Sequence, residues 1–192
     1  VNAAQGVEYG TRRMMEYAKA RGLCRVLVVN RIDAEPGKLA ALIAQLREEF
    51  GPECLPINLP AKNGSAVVDC FFSPSGDSDV EDVGAAHQRI FDQVVEINET
   101  VMGRYLEDGE SGLSGQELHD AFEQCLREGH LVPICFVSGR TGAGVRELLD
   151  LAERLFPSPL EGNPPQFVRG SGASAEPITL KMEDPKAHVV AD

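Results

Sequence analysis

Val26-Leu27-Val28-Val29-Asn30-Arg31-Ile32-Asp33 decides the fold of this chain. Its first four residues are β-branched or aliphatic and read as a short buried strand. The strand delivers an Asn and an Asp to its carboxyl end, where open α/β sheets bind ligands. An ionised Asp is acceptor-only, and its two oxygens match the adjacent N1–H and N2–H₂ donors of a guanine ring. Asn carries both a donor and an acceptor and can brace a neighbouring loop. Adenine offers no such donor pair. Four residues are a weak signal alone, so the surrounding chain carries the weight.

Before this strand, residues 1–4 read as the tail of another strand. A helix then opens at Gly6 with Tyr9, Met14, Tyr17 and Ala18 on one face, and Gly22 ends it. After it, a second helix starts near Pro36, with Leu39, Leu42, Ile43 and Leu46 at helical spacing, and Gly51-Pro52 stops it. Strand, helix, strand, helix is the repeat of a parallel sheet. The alternation then breaks. Leu55, Ile57 and Leu59 alternate with other residues, Asn63-Gly64 marks a turn, and residues 66–72 form a second apolar run, the pattern of an antiparallel pair. Residues 73–82 are rich in Pro, Ser, Gly and Asp and read as a solvent loop. One long helix is predicted over residues 85–106, with Ile90, Phe91, Val94, Ile97, Val101 and Tyr105 in a single apolar stripe that packs on its own small sheet.

Ser114-Gly-Gln-Glu117 has the form of a capping box, followed by a helix with Leu118, Ala121, Phe122 and Cys125 facing inward and Gly129 at its end. Residues 131–137 return to a buried parallel-type strand, in which Pro133 argues against a central position unless it lies among the first residues. Ser138-Gly-Arg-Thr-Gly-Ala-Gly144 is a Gly-rich turn. Val145, Leu148, Leu149, Ala152 and Leu155 mark the closing helix, which Phe156-Pro-Ser-Pro-Leu160 terminates. Residues 162–177 read as a linker, and Ile178, Leu180 and Met182 as a last strand without a partner in the chain.

Composition bounds the function. Thirty acidic residues against eighteen basic ones give a net charge of −12, with no cationic cluster of the kind that phosphate contacts with nucleic acid require. That acidity suits partners with basic surfaces, and it also simply keeps a protein soluble. Cys24, Cys54, Cys70, Cys125 and Cys135 form no C-x-x-C pair and lie beside no His at metal-binding spacing, so they read as reduced, intracellular and mostly buried, with no metal site. No apolar run approaches the roughly 18 residues of a membrane span. The first residue is Val, with no signal segment before it, which suggests a piece of a longer protein.

If Asn30 and Asp33 hold a guanine, something must cover its O6. Ser138-Gly139-Arg140 follows the next core strand, where a free backbone N–H can point at that oxygen and Gly139 lets the backbone approach. The pairing of two such loops across an insertion of roughly a hundred residues is more specific than either loop. No catalytic residue stands out. Ser138 lacks the G-x-S-x-G context of a nucleophile, and His87, His119, His130 and His188 are scattered.

Asn30-Arg-Ile-Asp33 has the N-[K/R]-x-D spacing of the guanine motif of GTP-binding proteins, and the blocks around it resemble the elongation factor G family of translational GTPases over nearly the whole chain. The resemblance rests on Val1-Asn-Ala-Ala-Gln-Gly-Val-Glu8, Asn30-Arg-Ile-Asp33, Leu55-Pro-Ile-Asn-Leu-Pro60 with Ala66-Val-Val-Asp69, Val132-Pro-Ile134, Ser138-Gly139, Gly144-Val145 with Leu148-Leu149-Asp150, and Pro157-Ser-Pro-Leu160. It implies an α/β fold, a partial P-loop-GTPase (Rossmann-like) parallel sheet with helices that carries an inserted α+β subdomain. Residues 1–52 and 130–160 would be the carboxyl-terminal half of the GTP-binding domain, 53–129 the inserted subdomain, and 161–192 a linker and the first strand of a following β-barrel.

By the same resemblance Asn30, Arg31 and Asp33 form the fourth guanine-nucleotide motif and Ser138, Gly139 and Arg140 the fifth. Arg31 stands for the common Lys, with its aliphatic stem along the nucleotide, and Gly139 for the common Ala. The implied ligand is GTP or GDP, and the implied partners are the ribosome and its stalk protein, in the cytoplasm. The sequence contains no G-x-x-x-x-G-K-[ST] phosphate loop, switch threonine or Mg²⁺-linked Asp-x-x-Gly segment. Base recognition is therefore expected here without the phosphate and Mg²⁺ half of the site. The region 73–82 is shorter than the family's, which points to a divergent paralogue. A second function class is an interaction module whose acidic insertion docks the stalk protein or another basic partner. A Rossmann-type enzyme would need a Gly-rich phosphate fingerprint after a strand, and there is none.

Overall fold

The computed structural model describes residues 1–72, 74–157, 167–170 and 176–178. In chain order its elements are α1 (Tyr9–Ala20), β1 (Leu27–Val29), α2 (Leu39–Phe50), β2 (Cys54–Pro56), β3 (Asn58–Ala61), β4 (Ala66–Asp69) and α3 (Val83–Val95). Then come α4 (Glu99–Asp108), α5 (Gly115–Glu128), β5 (Val132–Phe136), α6 (Val145–Leu155), β6 (Phe167–Arg169) and β7 (Glu176–Ile178).

The central sheet runs β1-β5-β2, all parallel, with Leu27 opposite Ile134 and Cys54 opposite Val132. Residues 1–3 extend it along the free edge of β1, where Asn30 N–H donates to the Val1 carbonyl at 2.9 Å and Ala3 N–H to the Asn30 carbonyl at 2.9 Å. Every residue of β5 is buried, as a strand covered on both faces must be. Pro133 lies inside this central strand. Val137 N–H donates to Val29 O, so by alternation the nitrogen of Pro133 also faces β1, level with a residue that precedes Leu27. The missing N–H thus falls where β1 has not yet begun, which reconciles Pro with a central strand.

α2 follows the expected spacing, burying Leu39, Leu42, Ile43 and Leu46. The capping box at Ser114 and Glu117 forms, and Gly129 closes α5 in the left-handed conformation with φ 77°. Four expectations are corrected. In α1 the buried residue is Met15, flanked by half-buried Thr11 and Ala18, while Tyr9, Met14 and Tyr17 are exposed; the i, i+4, i+7 stripe lies on another side of the helix. The helix expected over 85–106 is two helices. Asn98 adopts an extended backbone, and its side chain accepts from Thr100 N–H and Val101 N–H, capping α4 anew. In α6, Leu151 and Leu155 are buried and Leu149 is exposed. Finally, residues 162–177 are not all linker, since Phe167–Arg169 pairs antiparallel with Glu176–Ile178 and gives Ile178 a partner in Phe167. Leu180 and Met182 lie outside the described residues.

The alternating run from Leu55 to Leu59 divides between two sheets. β2 joins the parallel sheet, whereas β3 turns into an antiparallel hairpin with β4, Asn58 opposite Asp69 and Ala61 opposite Ala66. Ile57 is the pivot, donating to Ile134 O at 3.0 Å and accepting from Cys70 N–H at 2.9 Å. Asn58, only 4% exposed, continues the sheet with its side chain. Its Nδ2 donates to Phe136 O at 3.1 Å, and its Oδ1 accepts from Phe136 N–H at 2.7 Å. Replacing it by Ala strands a buried donor and weakens a buried acceptor, so Asn58→Ala is expected to lower stability by about 2–3 kcal/mol in urea unfolding. A loss below ~0.5 kcal/mol would contradict this account of β5.

Residues 74–82, expected as a solvent loop, are mostly exposed, and Asp79 ties them to the hairpin. Asp79 N–H donates to Pro60 O at 2.8 Å, and its Oδ2 accepts from Gly64 N–H at 3.2 Å. His87 is a core histidine, its Nδ1 2.7 Å from Cys70 O and its Nε2 2.8 Å from Glu110 Oε1. None of the five cysteines, all among the described residues, is in a disulfide. Burial pushes the thiol of Cys54 up to about 11 and those of Cys70, Cys125 and Cys135 up to about 12, so none of these four is a thiolate nucleophile at neutral pH. Among the described residues no helix is long and apolar enough to cross a membrane, and no cluster of acidic, His or Cys side chains is arranged to hold a metal ion.

Candidate nucleotide-binding site

β1 and β5 are neighbours and parallel, so the loops leaving their carboxyl ends emerge side by side. The two groups of three residues singled out in the sequence, more than a hundred positions apart, come together there through Asn30 and Asp33 on one loop and Ser138, Gly139 and Arg140 on the other. Asn30 Oδ1 accepts from Gly139 N–H at 3.0 Å and from Arg31 N–H at 2.7 Å, bracing both loops with one oxygen. Ser138, fully buried, donates its hydroxyl to Asp33 Oδ1. Arg140 donates from Nε to Asp33 Oδ2 at 2.9 Å and from Nη2 to the same oxygen. Arg31 is exposed and holds φ at 67°, a left-handed conformation uncommon for a side-chain-bearing residue, which turns the loop sharply between Asn30 and the buried Ile32.

The turn after β5 is closed by its own backbone. Ser138 N–H donates to Ala143 O, Gly142 N–H to Ser138 O, and Thr141 N–H to Ser138 Oγ. Gly139 is not sterically required by the protein around it. A Cβ built there would stand 3.7 Å from Asn30 Oδ1, an ordinary contact, so no close approach within the protein calls for glycine at this position. Two other glycines are required, and nothing in the sequence signals their contacts. A Cβ on Gly144 would meet Phe136 O at 2.2 Å. One on Gly64, at the tip of the β3–β4 hairpin, would meet Ile32 O at 2.3 Å and Asp33 Cα at 3.3 Å. The hairpin tip therefore supports the loop that presents Asp33. Asn63-Gly64 signals the turn, but not what the turn rests on.

The Ser138 hydroxyl first, and then Arg140, hold the Asp33 carboxyl below its ordinary range. A carboxylate with a depressed folded-state pKa contributes stability above its unfolded value, near 4, and loses that contribution as the pH falls through the lower folded value. The stability difference between the wild type and Asp33→Asn is therefore expected to be constant from pH 7 to about 5 and to shrink below about 4. Urea unfolding across this range checks it. A difference that stays constant down to about pH 2.5 would contradict the pairing.

Two loops at the carboxyl ends of adjacent parallel strands, with an inserted α+β unit between them, define an α/β domain of the P-loop-GTPase type, here in part. Residues 1–158 match the model of the elongation factor Tu GTP binding domain, and the chain belongs to that family. It is 28% identical over 197 residues to an elongation factor G-like protein of Thermotoga maritima and 25% identical over 198 residues to one of Mycobacterium tuberculosis, in each case across 96% of this chain and 28% of the relative. It is also 25% identical over 205 residues to elongation factor G of Chlamydia trachomatis, across 94% of this chain and 29% of the relative. The chain thus spans less than a third of the length of these relatives. The crystal structure of ttk003000868 from Thermus thermophilus superposes with a TM-score of 0.70 at 32% identity, covering 84% of this chain and 26% of that one.

Proposed function

We propose that this chain is the base-recognition half of the nucleotide site of an elongation-factor-G-like translational GTPase. In this reading Asp33 accepts from guanine N1–H and N2–H₂, the turn of Ser138, Gly139 and Arg140 faces O6, toward which the Gly139 N–H would turn from Asn30 Oδ1, and Arg31 lies along the nucleotide. The carrying observation is the convergence of Asn30 and Asp33 with Ser138, Gly139 and Arg140 through direct hydrogen bonds. Residues 1–52 and 130–160 supply this half-site, residues 53–129 are the inserted subdomain, and residues from 161 lead into a further domain. GTP or GDP with Mg²⁺ completes the site in a longer cytoplasmic protein that works on the ribosome, where phosphate-binding elements supply the hydrolytic chemistry.

The base contacts alone, each worth roughly 1.5–3 kcal/mol at best, do not give micromolar affinity once the cost of binding is subtracted. Calorimetry of this chain with GTP is expected to show no binding in the micromolar range. Micromolar binding would contradict the assignment of a half-site. One further observation favours a second role. Residues 53–129 hold sixteen acidic residues against four basic ones, while the rest of the chain balances fourteen against fourteen, so the whole net charge of −12 resides in the insertion. That subdomain is suited to docking a basic face of the ribosomal stalk protein or another partner. Capture of the stalk protein that survives Asp33→Asn and fails when surface acids of α3 and α4 are neutralised would support it.

A further inference from the structure

Asp33 already carries a ligand supplied by the chain. A carboxylate oxygen has about two lone-pair sites, and the Ser138 hydroxyl uses one on Oδ1, while the backbone N–H of Asp33 also bonds to its own carboxylate. Arg140 points both Nε–H and Nη2–H at Oδ2 and fills its capacity. The two are not equivalent toward a base. The N1–H and N2–H edge of guanine is itself a guanidine, a carbon bearing two adjacent N–H donors, and the Nε–Cζ–Nη2 edge of Arg140 presents the same donor pair to the same carboxylate. Ser138 can stay when such an edge docks, but Arg140 cannot.

We propose that Arg140 sets the guanine affinity of this site by competing with the base for Asp33, so that nucleotide entry requires the guanidinium to leave. The inference rests on the guanine reading of Asn30 and Asp33 given above. Arg140 is two residues beyond Ser138 on the same turn, so the competitor is always at hand. The Arg140 side chain is 77% exposed and that of Asp33 only 10%, so the guanidinium end of the pair stands in water, where salt screens it. The competition is therefore graded, and it weakens as salt rises.

The test is an NMR titration of the full ¹⁵N-labelled chain with 5′-GMP, and with 5′-AMP as control, comparing the wild type with Arg140→Gln and Arg140→Lys. GMP is expected to move the amide signals of Arg31 and Gly139 and to shift the Arg140 Nε–H signal toward that of a free guanidinium, whereas AMP does neither. Arg140→Gln is expected to bind GMP about two- to fivefold more tightly at low salt, the factor that corresponds to an exposed ion pair. Arg140→Lys should fall between, and the gap should close at high salt. Equal or weaker GMP binding by Arg140→Gln, with the wild-type response intact, would overturn the competition and leave the base site standing. No GMP response in any of the folded chains would remove the base site and the competition with it. The dispersed amide spectra of the three chains certify that each is folded, and losing the pair with Asp33 is expected to lower the unfolding midpoint of Arg140→Gln only modestly.

Discussion

Gly64→Ala is expected to destabilise this chain by about 3 kcal/mol or more and to disturb a loop some thirty residues away in sequence. Two costs combine. The residue holds φ at +71°, where an added Cβ is strained by roughly 1–3 kcal/mol. That Cβ would also stand 2.3 Å from Ile32 O and 2.9 Å from the Ile32 carbonyl carbon, which are backbone atoms that cannot swing aside, and overpacking of this kind costs typically about 1–3 kcal/mol more. Gly22 supplies the control, because its φ is +62° and a Cβ there meets nothing within 4 Å. Gly22→Ala should therefore show the conformational cost alone, on the order of 1 kcal/mol. Urea unfolding of both variants separates the two terms. Equal losses would mean that the hairpin tip does not press on the Asp33 loop. Chemical-shift changes at Arg31, Asp33 and Gly139 in Gly64→Ala, and their absence in Gly22→Ala, would show the same coupling at the site.

This coupling gives the insertion a part in building the site. Only Ile57 separates β3 from β2, Asn58 stitches the start of β3 to Phe136 at the end of β5, and Gly64 at the far end of the hairpin lies against Ile32. The inserted unit is thus joined to strand β5 and packed against the loop that leaves β1. The Asp79 carboxylate also holds the hairpin tip, accepting from Gly64 N–H.

Much of this was legible in the sequence because the signals were local. The apolar runs at 26–29 and 131–137 were long enough to read as buried strands, Ser114 and Glu117 formed a motif closed within four residues, and Gly129 ended α5 in the conformation only glycine adopts readily. The loops at Asn30 and Ser138 were legible as a pair because each follows a core strand. What was missed depends on distant partners. Tyr9, Met14 and Tyr17 satisfy a helical face as well as Thr11, Met15 and Ala18 do, and only packing on the core selects the second. The stripe across residues 85–106 hid the break at Asn98, because apolar spacing does not register a cap that restarts the helix. Asn58 was visible as a polar residue in an apolar run, yet its partner lies 78 positions away. The contact of Gly64 with Ile32 leaves no sequence signal beyond the glycine itself.

The second large effect concerns Asp33. Asp33→Asn replaces one of two acceptors by a donor. Guanine presents N1–H and N2–H₂ to that pair, whereas xanthine presents N1–H and a carbonyl, so the variant matches xanthine and mismatches guanine. Hydrogen bonds to a charged group contribute about 1.5–3 kcal/mol each, and losing one while stranding its donor is expected to cost GTP roughly tenfold to a hundredfold or more in affinity. In the longer protein that we propose carries this chain, the most direct measurement is the ratio of GTP to xanthosine triphosphate affinity for the wild type and for Asp33→Asn. The wild type is expected to prefer GTP, and the variant to prefer xanthosine triphosphate. A variant that still prefers GTP by the wild-type ratio would contradict the role given to Asp33, and with it the guanine site.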